Sequence, residues 1–461
     1  QASDDGHVAL AYLQPGTGFA YFDVGEDPAT DRSAFQIVRG PDGRLYYGTL
    51  GPPTCAGGIC SSPAGAIGRF DPATGRARQI ALRSEVLGLL FTGDGALWFA
   101  GGTSHRLYRM RPREFSASAL TAIPVPAPVP NATYTPRLLA QDGAGNVWFG
   151  DGAGGRVLRI ASAGPYRSSS VAAFAQPRGP RGTPGASPFV NGIAVAGDGD
   201  VYVLDSANGT LDQVDPRNGR TTAQLVLPQQ RALGAKGSVE PRFLAKDASG
   251  ALLASFFGAS IGNGLSRGGI DRYVPGAKGI AELALASAPA GALPDTLSIE
   301  GADLYYTDAG ARAVGFVDVQ TRDYRLIPTQ PFLSLSTLRS PNGVVAMPDG
   351  TAWFTCAGDV KPFAPLCLGH TVYLDDWSLF PGPSFDVGIG GATSQVVGMM
   401  ENPAQDSGPF TVRSDRPGIC RAGDLREHDF VVTGVARGRC TIVVTDAHHV
   451  SKSLQVVVTA Q

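Results

Sequence analysis

Residues 146–151 read NVWFGD, and close variants return along the chain: RLYYGT at 44–49, ALWFAG at 96–101, DVYVLD at 200–205, LYYTD at 304–308 and TAWFTC at 351–356. The glycine ahead of the phrase falls at Gly43, Gly95, Gly145, Gly199, Gly250 and Gly350, with Asp303 in the sixth slot. The gaps are 52, 50, 54, 51, 53 and 47 residues. A period of this length with strand chemistry inside it is the mark of a propeller. The first unit supplies four short strands: FQIVRG, a PDG turn, RLYYGT, a loop, AIGRFD, the turn PATG, and RARQIAL. Asp-Gly pairs tolerate the positive φ of tight hairpins, and second-strand aromatics fill the space between twisted sheets.

The expected fold is therefore all-β: a seven-bladed β-propeller of four-stranded blades over residues 30–386. Residues 1–29 form a leader, in which FAYFDV (19–24) would add a strand that closes the ring. From residue 387 the period is lost. FTVRSD, DFVVTGVARGRCTIVVTD and SLQVVV alternate between apolar and polar residues, as in a small β-sandwich. That tail, 387–461, resembles bacterial immunoglobulin-like domains.

Composition narrows the function. A formal charge of −2 without a basic run gives no footing for nucleic acid, and no apolar stretch reaches the roughly 18 residues of a membrane span. The six cysteines fall into three local pairs, Cys55/Cys60, Cys356/Cys367 and Cys420/Cys440. They lack C-x₂-C zinc spacing, and fifteen connectivities are open to them. Pairing between neighbours is the simplest, and disulfides imply an extracytoplasmic location: periplasmic, secreted or at the cell surface, with a lipid anchor compatible with the amino terminus.

Antiparallel blades put the start of the innermost strand and the end of the second at one mouth of the channel. The long connections 50–65, 258–269, 356–370, 175–188 and 228–241 open on that face, whereas turns on the other face are short. Counting back eight residues from each slot gives the mouth residues Phe35, Leu87, Arg137, Asn191, Arg242, Asp295 and Asn342. The second strands end at Thr49, Gly101, Asp151, Asp205, Phe256, Asp308 and Cys356. Arg137 with Asp151, Asn191 with Asp205, and Asp295 with Asp308 would form polar pairs within single blades. Blades one and two read as the apolar side of a funnel suited to an amphipathic ligand.

GPDGRLYYGT, AIGRFDPATGRARQIAL and GDGALWFAG resemble the streptogramin B lyases (virginiamycin B lyase-like proteins), which are seven-bladed propellers. The resemblance spans roughly residues 30–385. It implies metal-assisted elimination on a cyclic depsipeptide, with a histidine opening an innermost strand and a glutamate ending the next strand beside magnesium. This chain has Asn342 and Asn191 where such a histidine would stand, and Cys356 and Asp308 where the glutamate would stand. Asparagine is no general base, so the lyase activity does not carry over. NGIAVAGDGDVYVLDS (191–206) is also similar to a blade of gluconolactonase-type propellers. By that likeness Asp205, Asp308 and Asp151, with Asn191 and Asp295 nearby, are candidate ligands for Mg²⁺ or Ca²⁺ in the funnel.

Of the six histidines, His105 and His370 open third strands on the loop face and are the candidate general bases of an enzyme reading. His7 lies in the leader, and His428, His448 and His449 lie in the tail. The leading expectation is a propeller that binds a small-molecule, peptide or glycan ligand at its mouth. The alternatives are a divergent metal-dependent lyase or lactonase, and a structural or adhesion module whose immunoglobulin-like tail meets a cell-surface or protein partner.

Overall fold

The computed structural model describes residues 9–14, 17–23, 33–51, 54–56, 59–61, 64–72, 74, 76–129, 135–152, 154–177, 179, 187–233, 237–261, 264–265, 268–277, 279–283, 293–319, 324–328, 339–348, 351–358, 367–372, 377–380, 384–389, 395–401, 409–425, 429–446 and 451–459. It divides into two compact units, Gln1–Leu10 with Ala20–His370, and Ala11–Phe19 with Thr371–Gln461.

In the first unit, one antiparallel sheet follows another along the chain. The first sheet joins Ser33–Arg39, Leu45–Leu50, Gly65–Asp71 and Arg76–Leu82 in that order. The second to sixth sheets open at Val86, Pro136, Val190, Gly237 and Pro294 with the same up-and-down order. The seventh orders Arg339–Ala346, Ala352–Gly358 and Cys367–Val372, then Thr17–Asp23 and Ala9–Gln14 from the amino terminus. The stretch expected to add a strand, 19–24, overlaps Thr17–Asp23 of this sheet, and residue 24 lies outside the described residues. Trp377–Phe380 pairs instead with Gln395–Glu401 in the second unit, so that unit begins ahead of residue 387, where the sequence period fades.

The repeated phrase explains itself once the sheets are in place. Adjacent residues on a strand point to opposite faces, and both faces here are covered. Tyr46 packs into the core shared with the second sheet, while Tyr47 packs against Trp353 and Leu368 of the seventh. Trp98 faces the third sheet and Phe99 the first. Clusters of this kind join each of the first five sheets to the next, and the seventh to the first. Hydroxyls add to the closure: Thr307 donates to the Asn342 carbonyl at 3.0 Å, and Thr355 to the Phe35 carbonyl at 3.4 Å. This is the architecture of a β-propeller.

Gly43, Gly95, Gly145, Gly199 and Gly250 all hold φ between +75° and +86°, the left-handed region that favours glycine. In the sixth sheet the hairpin is shorter. Asp303 is a strand residue paired with Glu300, and the positive φ moves to Gly301. Gly350 lies outside the described residues.

In the second unit, two four-stranded sheets share one core. One runs Trp377–Phe380, Gln395–Glu401, Asp429–Gly434, Cys420–Gly423, and the other Ser384–Gly388, Ser451–Thr459, Gly438–Thr445, Thr411–Ser414. Phe430 and Val432 meet Ile442, Val444, Leu454 and Val456, and a disulfide joins Cys420 to Cys440 across the core. Among the described residues no helix is long and apolar enough to cross a membrane.

Candidate functional site

Every innermost strand of the first unit breaks register at the mouth. The shift falls between Ala34 and Gln36, Val86 and Gly88, Arg137 and Leu139, Val190 and Gly192, Pro241 and Phe243, Pro294 and Leu297, and Pro341 and Val344. These are β-bulges, where the first strand carries more residues than its partner and the surplus side chain is re-aimed. Phe35, Leu87, Asn191, Arg242, Asp295 and Asn342 sit in the surplus positions. Arg137 stands just ahead of Leu138, whose φ of +41° marks the same irregularity. The seven residues picked out by counting therefore occupy one ring of bulges.

Several of their polar partners come from neighbouring sheets, and the within-blade pairs expected from sequence do not form. Arg242 Nε donates to Asp295 of the sixth sheet at 3.1 Å, and its Nη1 to Glu240 at 2.7 Å. Asn191 Nδ2 donates to the Pro241 carbonyl of the fifth sheet at 2.9 Å. Arg137 lies over the Phe189 ring with 5.5 Å to its centroid, and Arg242 over Phe257 at 4.2 Å. Burial pulls the Arg137 guanidinium down to about 10, helped by the like charge of Arg242 and opposed by Asp295 and Glu85. Burial raises the Asp295 carboxyl, against the pull of Arg242 and Arg137.

Glu85 belongs to this charge cluster and was not among the residues expected from sequence. Its carboxylate accepts the Thr103 amide at 3.1 Å and the Thr103 hydroxyl at 2.5 Å. It lies two residues ahead of Leu87, beyond the offset at which each mouth residue was sought. The side of the mouth expected to be apolar thus carries a buried acid.

The aspartates ending the second strands do local work. Asp151 accepts the Thr135 and Gly154 amides and pairs with Arg156 at 2.7 Å. Asp205 accepts the Phe189 and Ala207 amides, and Asp308 the Leu293 and Ala311 amides. All three are fully buried, each in its own sheet. Each one pins the residue preceding its innermost strand to the turn after its second strand. The three do not form a common oxygen set for a cation, and among the described residues no group of three metal-binding side chains occurs.

His105 sits in a turn at φ +53°, its amide bonded to the Gly102 carbonyl. His370 is opposite Trp353 on a strand. His7, His428, His448 and His449 lie outside the described residues. The backbone register places Cys55 opposite Cys60 and Cys356 opposite Cys367. Beyond the bulges, on the side of the short hairpin turns, the innermost strands enclose a channel cavity of about 900 Å³. Gln36, Leu138 and Thr296 border it near the bulges, and Arg39, Lys246 and Glu300 at the far rim.

No protein-family model matches the chain, and no characterised relative does. Solved structures do. Virginiamycin B lyase from Staphylococcus aureus superposes with a TM-score of 0.56 at 17% identity, covering 77% of this chain and 99% of the lyase. The extracellular domain of a putative hybrid two-component system from B. thetaiotaomicron gives 0.52 at 14% identity, covering all of this chain and 62% of that one. Hydrazine synthase from Kuenenia stuttgartiensis gives 0.52 at 15% identity, covering 72% of this chain and 93% of that one. Identities this low carry the fold and no activity, so the chain is similar in architecture to the lyase and its fellow β-propellers.

Proposed function

We propose that the chain is a seven-bladed β-propeller followed by an immunoglobulin-like β-sandwich, that it works outside the cytoplasm, and that it binds a ligand at the mouth of the propeller channel. The observation that carries the reading is the ring of bulges, which directs one residue of every innermost strand to the same opening. Bulges at the rims of closed sheet structures commonly re-aim side chains at functional sites. Guanidiniums backed by aromatic rings, beside Phe35 and Leu87, suit an amphipathic peptide, glycan or cyclic compound.

Seven blades follow from reading each sheet of the first unit as one blade. The immunoglobulin-like reading of the tail rests on its two sheets, its disulfide and the parallel pairing of Ser384–Gly388 with Ser451–Thr459. An oxidising compartment is supported by Cys420–Cys440, and by registers that we read as two further disulfides, Cys55–Cys60 and Cys356–Cys367. The likeness to an extracellular domain points the same way. No lyase or lactonase step is assigned: the positions that would carry its histidine and glutamate hold other residues, and the candidate metal carboxylates are bonded to backbone amides. The test is capture of peptides, glycans and macrocycles by the immobilised full chain. Phe35→Ala, Asp295→Asn and Asn342→Ala should each weaken capture about tenfold or more while keeping the parent's folded circular-dichroism spectrum. Parent-like binding by all three would remove the mouth assignment.

A further inference from the structure

The cations of the bulge ring are not equivalent. Arg242 is engaged by Asp295 and Glu240, so its charge is met within the protein. Arg137 forms no hydrogen bond or ion pair among the described residues, and its buried Nε is without a partner. A guanidinium presents five donors in a planar fork and loses water poorly unless acceptors replace it. Phe189 covers one face of the Arg137 fork, which leaves the donor edge for an incoming group. Asn191, on the adjacent sheet, spends its amide nitrogen on the Pro241 carbonyl.

Resting on the mouth reading above, we propose that Arg137 is the seat for a carboxylate of the ligand, held edge-on by the guanidinium with Phe189 as the wall behind it. A carboxylate matches the fork in two parallel hydrogen bonds. The charges around it select a single negative charge. Glu85, just ahead of the second sheet, and Asp295, on the sixth, both act on Arg137, and the like charge of Arg242 is met by Asp295 and Glu240. A sulfate or phosphate dianion would meet these acids with twice the repulsion, while a carboxylate fills the one unmet set of donors. Two kinds of ligand carry such a group: a sugar acid and a peptide carboxyl terminus.

The experiment is a thermal melt of the full chain at constant ionic strength. Glucuronate and N-acetylglycine are the probes, glucose and N-acetylglycinamide their neutral counterparts, and sulfate the dianion. One or both carboxylates should raise the melting temperature, while their neutral counterparts and sulfate should not. Whichever carboxylate acts identifies the source. Arg137→Gln should lose the shift, and Arg137→Lys should lose about tenfold in apparent affinity because an ammonium lacks the fork. Asp212→Asn, away from the mouth, should keep the shift. If Arg137→Gln does not fold, Arg137→Lys and the neutral probes decide. Absence of a shift with either carboxylate, equal shifts with the neutral probes, or a parent-like response of Arg137→Lys would overturn the proposal. The mouth reading would outlive that failure if an uncharged ligand still bound and the Phe35, Asp295 and Asn342 variants weakened it.

Discussion

Asp212 offers the sharpest test of the packing. It lies on the third strand of the fourth sheet, opposite Val203 on one side and Gln224 on the other. Val203 belongs to the core between the third and fourth sheets, so Asp212 faces that core too. Its side chain is wholly buried. Gln224 Nε2 reaches one oxygen at 3.2 Å, and the other has no partner among the described residues. Burial pushes the carboxyl from an ordinary 3.8 up to about 7, with Asp205 adding to the rise and Thr210 and Gln224 opposing it. Each tenfold difference in acidity between the folded and unfolded carboxyl is worth ~1.4 kcal/mol, so ionised Asp212 costs about 4 kcal/mol. The folded state holds the proton longer than the unfolded state. Stability from this group is therefore complete below pH 3.8, declines as pH rises toward 7, and is level above that. Asp212→Asn keeps the shape and the acceptor for Gln224 but never ionises. At pH 8 it should melt about 4–8 °C above the parent, with the two curves converging toward pH 4. Tryptophan fluorescence is the readout, because Trp98, Trp148 and Trp353 lie in the propeller. The variant should keep a residual slope, since burial also raises Asp295, Asp303 and Asp308. Equal melting temperatures at pH 8, or the parent's full pH slope in the variant, would refute the account of a buried and unmet carboxylate.

Further expectations concern closure, packing and the tail. Thr355→Val deletes a hydroxyl that accepts the Gly343 amide at 2.8 Å and donates to Phe35 of the first sheet, and should cost about 1–3 kcal/mol by denaturant melt. Gly68→Ala places a methyl group in the ring of Tyr47, and should destabilise the propeller more than alanine at the exposed turn residue Gly93, where no backbone atom crowds the site. Replacing Cys420 and Cys440 together by alanine opens a link spanning 20 residues, and should lower the stability of the second unit by about 3 kcal/mol in a calorimetric scan, leaving the propeller transition in place.

The period, the turn glycines and the alternating aromatics were legible in the sequence because each reflects a local requirement. A left-handed turn asks for glycine, and a strand buried on both faces asks for two large neighbours such as Tyr46-Tyr47 or Trp148-Phe149. The slot filled by Asp303 misled because spacing alone does not distinguish a shortened hairpin, with its left-handed residue at Gly301, from a substituted one. The end of the propeller was harder to place, since its last sheet is finished by residues from the opposite end of the chain and Trp377–Phe380 is drawn into another sheet.

The charge pattern was illegible for a different reason. A bulge is a relation between two strands, so no offset within one strand reveals where a surplus residue will aim. Counting found the ring of bulges but assigned its partners within blades, where strand ends look adjacent. In the ring, a re-aimed side chain meets the neighbouring sheet instead: Arg242 finds Asp295, Asn191 finds Pro241, and Arg137 feels Glu85 across the boundary. The second-strand aspartates are then free to hold backbone amides. Asp151, Asp205 and Asp308 do so in the same manner, which is why an acid recurs at the end of the phrase without forming a site. An acid that meets the needs of its own blade is architectural, whereas Arg137, buried and unmet by its own blade, leaves its donors to a ligand.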